Sequence, residues 1–183
     1  MNTPLNSFAT ERIYVRPLQK SDAQSMLEYH SDPQVTRYIP WPTRNLEQVR
    51  EALDKYITYI TLEKEGDYLM LGFFRKEDNQ LLGQINAMYR SEEHQLAEFG
   101  YVINPRFAGQ GLATEAVKEM ISQIFKTGKF HRVIARMDAR NNSSARLCER
   151  LGLRLEAHHL QDDWFKGEWT DTYIYAILKN EWK

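Results

Sequence analysis

The chain has 183 residues, 42% of them apolar and 27% charged, with a net charge of −1. That length buries a core within one domain, 1–183, and the composition is that of an ordinary globular protein, with no electrostatic footprint for nucleic acid or an anionic membrane. The lone Cys148 excludes an internal disulfide, the apolar run Tyr68–Phe74 is far too short to span a bilayer, and a cytoplasmic protein is expected.

Arg12–Leu18 reads as a first strand. Ser21 and Gln24 have capping-box spacing and predict a helix through about Tyr29, and Asp32-Pro33 opens a short second one. Pro40-Trp41-Pro42 makes a rigid loop. Asn45 and Gln48 form another capping box, after which Leu46, Val49, Leu53, Tyr56, Ile57 and Ile60 keep helical spacing. Tyr68–Arg75, Leu81–Tyr89 and Gln95–Ile103 then read as strands joined by polar turns, an antiparallel meander.

Ala113, Ala116, Val117, Met120, Ile121, Ile124 and Phe125 form the apolar stripe of a helix, with Thr127-Gly128 as its C-cap. Arg132–Met137 is a strand and Ser143–Arg150 a helix. Two last strands, near Leu155–His159 and Thr172–Leu178, flank the turn Lys166-Gly167. This order gives an α+β fold, a mixed sheet with helices on both faces.

The densest chemistry lies at the hand-over from the third meander strand to the next helix, Asn104-Pro-Arg-Phe-Ala-Gly-Gln-Gly-Leu-Ala-Thr-Glu-Ala-Val117. Gly109 and Gly111 permit unusual dihedrals and close approach of a ligand to the backbone. The first N–H groups of a helix have no internal partner, and the dipole there favours an anion. The segment is a candidate phosphate cradle. Taken alone, it also imitates a dinucleotide-binding βαβ unit. Against that stand Thr114 in place of a third glycine, the wide gap from strand to Gly109, and the meander before it. A Walker loop fails because no lysine follows the second glycine.

A second motif, Asn141-Asn-Ser-Ser-Ala-Arg-Leu-Cys-Glu-Arg-Leu-Gly-Leu153, lies downstream. Together the two resemble the GNAT superfamily of acetyl-CoA-dependent N-acetyltransferases. Glu11–Leu18, Asp32–Val35, Ala97–Tyr101 and Gly167–Asp171 extend the resemblance to the RimJ/RimL-like branch, which acetylates ribosomal proteins. It implies a seven-strand, mostly antiparallel mixed sheet, splayed open between strands four and five with acetyl-CoA in the gap. It departs at Ala108, where the family usually has Gln or Arg.

The resemblance further implies that Gly109, Gln110, Gly111, Leu112, Ala113 and Thr114 hold the pyrophosphate. Tyr101, Val102 and Ile103 would pair through their backbone with the pantetheine arm, and Asn141 would bond it too. Many members place a tyrosine acid where Cys148 stands. The RimL-like branch suggests Ser144 as the acid toward CoA sulfur and Glu156 as base. Glu98 is a second acidic candidate from its own position. It sits inside an apolar alternation, where a carboxylate is costly unless it is functional or paired with an arginine.

Trp41, held between prolines, is a candidate wall of the acceptor pocket. The histidines show no metal-ligand spacing, so no metal is expected. The activity implied is direct acetyl transfer to a protein or peptide α-amine. A small amine or polyamine acceptor stays open, as do a non-catalytic CoA- or dinucleotide-binding module and a homodimer.

Overall fold

The structure, a computed structural model, describes residues 5–183. One sheet runs through it in the order β1-β2-β3-β4-β5-β6-β8-β7. The first strands are β1 (Phe8–Ala9), β2 (Ile13–Pro17), β3 (Tyr68–Arg75), β4 (Leu81–Ser91) and β5 (Leu96–Ile103). They pair antiparallel in succession. Beyond them, β6 (Arg132–Asp138) pairs with β8 (Glu168–Leu178), which in turn pairs with the edge strand β7 (Arg154–Phe165). Among the described residues only β5 and β6 run parallel, over Leu96–Glu98 against Arg132–Ile134. From Phe99 onward β5 stays with β4 as far as Ile103, while β6 stays with β8 as far as Asp138. The two halves of the sheet therefore part just beyond Glu98. This is the expected splay between the fourth and fifth strands once the two-residue β1, the eighth strand, is set aside.

Helices α1 (Ala23–His30) and α3 (Leu46–Tyr56) cover one face, with the four-residue α2 (Pro33–Thr36) between them. Helices α4 (Leu112–Lys126) and α5 (Asn142–Arg150) cover the other. Strand alternation explains the two cores. Leu69, Leu71 and Phe73 point to a large cluster with Val117, Met120, Ile121 and Ile124, whereas Met70 and Phe74 join Met26, Val49 and Leu53. Because β3 is buried on both faces, it reads as one apolar run rather than an alternation. On β5 the same rule sends Phe99, Tyr101 and Ile103 to the α4–α5 side and Val102 to the α1–α3 side. Glu98 shares the face of Val102.

Four departures from the expected boundaries stand out beside shifts of one or two residues at the ends of β2, β4, β5 and β6. The Ser21 capping box does not form. Asp22, bonded bidentately to Arg16, takes the Gln19 N–H at 2.7 Å, and a short 3₁₀ turn, Lys20–Asp22, precedes α1. Helix α3 stops at Tyr56, and Ile60 instead bridges Leu69. Helix α5 starts at Asn142, one residue early. The last hairpin is longer than its periodicity suggested and runs to the Lys166-Gly167 turn. Register shifts between His159 and Asp163, with Gln161 at φ +49°, hide the alternation of β7. Among the described residues, no helix is long and apolar enough to cross a membrane.

Candidate active site

The glycine loop is strained in the one way glycine tolerates. Gly109 and Gly111 sit at φ +77° and +78°, in the left-handed region. Gly111 is the N-cap of α4 and has no side chain with which to cap it. The first intrahelical bond runs from the Glu115 N–H to the Gly111 carbonyl at 3.0 Å. The amides of Leu112, Ala113 and Thr114 precede it and, with no cap, face a cavity of about 620 Å³ that these residues line. The loop is pinned from outside. Arg12 donates to the Gln110 carbonyl at 3.0 Å and to Glu115 at 2.7 Å, and Thr10 also bonds Glu115. The Gln110 carbonyl is thus held by Arg12, the residue before β2, and Gln110, alone among the expected cradle residues, does not line the cavity.

Tyr101, Val102 and Ile103 form a second wall, on the edge of β5 that β6 has left bare. Helix α5 supplies the third. Asn141 caps it by accepting the Ser144 N–H at 3.2 Å, and the Ser144 hydroxyl lies 3.4 Å from that of Tyr101. Burial raises the Tyr101 phenol above its usual range, while the Ser144 hydrogen bond pulls it down. Cys148 is 1% exposed, and burial pushes its thiol up to about 12. Arg150, at the C-terminal end of α5, reaches Thr114 Oγ1 at 3.4 Å and puts a cation beside the α4 amides.

A second cavity, about 530 Å³, opens on the far side of the splay and is lined by Glu98, Arg136, Asp138, Asp163, Trp164 and Lys166 among others. Tyr38 and Ile39, in the segment after α2, line both cavities. Glu98 is 8% exposed and takes the Arg90 Nε–H at 2.7 Å, so the carboxylate is both ion-paired and at the cleft. Lys166, at the tip of the β7–β8 hairpin, donates to the Thr36 and Trp41 carbonyls and ties this hairpin to the shared wall.

Two expected residues stand apart. Trp41 lines neither cavity, because its ring stacks on His30 at 5.6 Å and under the Arg44 guanidinium at 4.9 Å; Tyr38 and Ile39 make the wall instead. Glu156 also lines neither. Arg132 and Arg154 hold it, with Arg132 chief among the causes that lower its carboxyl from the usual range.

The conserved-domain profile described as the acetyltransferase (GNAT) domain matches residues 12–154. The chain belongs to the GNAT acetyltransferase family. The uncharacterised N-acetyltransferase YnaD of Bacillus subtilis is 30% identical to this acetyltransferase over 94% of the chain and 97% of its own length. A GNAT-family acetyltransferase from Bacillus anthracis has the same fold, with a TM-score of 0.86 at 30% identity, covering 96% of this chain and 99% of that one. Two Escherichia coli relatives differ in acceptor. The [ribosomal protein uS5]-alanine N-acetyltransferase is 25% identical over 99% of this chain and 95% of its own. Spermidine N(1)-acetyltransferase is 22% identical over 93% and 88%. The enzyme is therefore an N-acetyltransferase, an acyltransferase acting on an amine.

Sequence reasoning passed over three groups of this acetyltransferase. Arg150 follows Cys148 by two residues, but nothing local says that it meets Thr114. Arg12 was part of a strand motif rather than the clamp on the glycine loop. Tyr38 carried no signal beyond its nearness to Pro40.

Proposed function

We propose that this enzyme binds acetyl-CoA in the 620 Å³ cavity and acetylates the N-terminal α-amine of a protein or peptide that enters the second one. One observation carries the proposal. The two cavities flank the splay and share the Tyr38–Ile39 wall, with the hydroxyls of Ser144 and Tyr101 on one side and the Glu98 carboxylate on the other. The residues fit the donor. Uncapped amides of α4, two side-chain-free positions and Arg150 suit a pyrophosphate, and the bare edge of β5 suits an amide-bearing arm. Acetyl-CoA supplies an activated thioester.

The chain's own residues then have separable tasks. Backbone N–H groups on the bare edge of β5 are placed to bond the thioester oxygen as its charge grows. Glu98 receives the acceptor's proton, directly or through water. The Ser144–Tyr101 pair serves the sulfur side. The transfer is direct, since a buried Cys148 thiol raised to about 12 is no nucleophile.

An α-amine is the acceptor that this electrostatics suits. Near pH 7, deprotonating one costs about 1.2 kcal/mol, against about 4.6 kcal/mol for a lysine amine. One carboxylate already held by Arg90 matches the smaller task. A polyamine would need several free carboxylates. In the second cavity, Glu98 is paired with Arg90 and Asp138 with Arg140, and Asp163 alone is in no ion pair among the described residues. Mass spectrometry after incubation with N-terminal peptides, lysine peptides and spermidine tests this. Acetyl groups on α-amines are expected; modification confined to lysine side chains or to spermidine would overturn the acceptor assignment.

A further inference from the structure

We infer that Tyr101 is the acid that protonates the departing sulfur, and that Ser144 is the residue positioning its phenol. This rests on the donor cavity being the acetyl-CoA site. Both hydroxyls line that cavity, 3.4 Å apart, on opposite walls of the gap that opens beyond Glu98. Tyr101 comes from the strand that Glu98 occupies, three positions past the end of the β5–β6 pairing, and so points to the other face of the sheet. The donor-side phenol and the acceptor-side carboxylate thus bracket the splay from its two faces.

The chemistry separates the two hydroxyls. A thiol ordinarily titrates near about 8.5 and a phenol near about 10. An alcohol is a far weaker acid than either, close to water. Proton transfer to a leaving thiolate is therefore uphill from either hydroxyl, but far less so from a phenol, even one that burial has raised, than from a serine. Burial keeps the Tyr101 phenol protonated, and the Ser144 hydroxyl and the Arg150 guanidinium favour the phenolate left after transfer. No other proton-bearing side chain on β5 faces this cavity: Val102 and Ile103 are its neighbours there.

The step balances. The amine nitrogen bonds the acetyl carbon, and the carbon–sulfur bond breaks with its electron pair on sulfur. The Tyr101 proton goes to sulfur. The surplus proton on nitrogen leaves by Glu98 to solvent, and water restores the phenol once the thiol has left.

The decisive comparison is Tyr101→Phe, which keeps the packed ring, beside Ser144→Ala. Tyr101→Phe is expected to lower kcat by about 10²–10³-fold with the KM for acetyl-CoA within about twofold. Ser144→Ala should lose no more than about tenfold. Calorimetry with two probes supplies a readout apart from turnover. Tyr101→Phe should weaken CoA about five- to tenfold through the lost bond to sulfur, yet leave desulfo-CoA, which has no sulfur, within about twofold. An equal loss for both probes would assign Tyr101 a structural role. So would near-normal kcat in Tyr101→Phe, and a larger loss in Ser144→Ala would make serine the donor. If the wild-type protein binds neither CoA nor desulfo-CoA, the donor-cavity assignment itself fails.

Discussion

The carboxamide oxygen of Asn141 accepts both the Ser144 N–H, at 3.2 Å, and the Ser143 hydroxyl, at 2.9 Å. One side chain thus starts α5 and fixes the direction in which Ser144 faces. Asn141→Ala should cost about 1 kcal/mol of stability, the usual worth of such a cap. It should also lower kcat through the displaced Ser144–Tyr101 pair. Thermal unfolding and steady-state kinetics on the one variant check both effects; a stability loss with unchanged kcat would confine Asn141 to capping.

Gly111 is held to its conformation by the left-handed backbone. A side chain at φ +78° is strained whatever space surrounds it, and a Cβ would meet Arg12 Nη2 at 3.4 Å. Gly111→Val should lose about 1–3 kcal/mol of stability from backbone strain. Acetyl-CoA affinity should fall at least about tenfold, since a displaced loop misaims the α4 amides. Calorimetry on the folded variant decides; unchanged affinity would remove this loop from the donor site.

Glu98→Gln tests the acceptor side. At pH 7 its kcat should fall by about 10–10²-fold, toward the low end for a general base. The deficit should shrink as the pH rises past the α-amine pKa of about 7.7–8.0, where the acceptor deprotonates unaided. Because Arg90 is then left alone, Arg90→Met is the control. The Glu98 side chain is only 10% exposed, so Arg90→Met leaves a buried carboxylate unpaired and should lower stability, which thermal unfolding reads beside the kinetics. A deficit independent of pH would assign Glu98 to packing.

His30 predicts an acid-sensitive fold. It is fully buried, with Nε2 2.8 Å from Gln84 Oε1, and burial lowers its pKa to about 4, with Arg44 adding to the fall and the Gln84 bond opposing it. The unfolded chain takes up this proton below about 6.5, the folded one only near 4. The neutral ring's contribution is therefore whole above about 6.5 and drains away as the pH falls to about 4. The loss is about 3 kcal/mol at most, from a shift of about 2.5 units. Urea midpoints between pH 7.5 and 4 should show it, and His30→Gln should flatten that slope.

Much of this was legible locally. The α4 stripe, the Asn45 capping box and the left-handed glycines are signals carried within a few residues, and each formed as its spacing required. In the site, the glycine loop, the β5 edge and the Ser144 and Glu98 side chains were legible, but their partners were not. Tyr101 was expected for its main chain, yet its hydroxyl meets Ser144 across 43 positions of sequence. Arg150 meets Thr114 across 36. Trp41 and Glu156 had the right residue types near the right motifs, but stacking on His30 in one case and two arginines in the other turned them away. Such choices among competing partners are made by tertiary packing and leave no periodic trace.

Tyr38 and Ile39 belong to two rooms at once, and Lys166 ropes the flanking Thr36 and Trp41 carbonyls to the β7–β8 hairpin. A ligand that shifts this partition in one room alters the other, and the free energy of that coupling is the same in both directions. An acceptor that presses the wall inward would tighten the hold on the donor by the factor with which the donor tightens the hold on it.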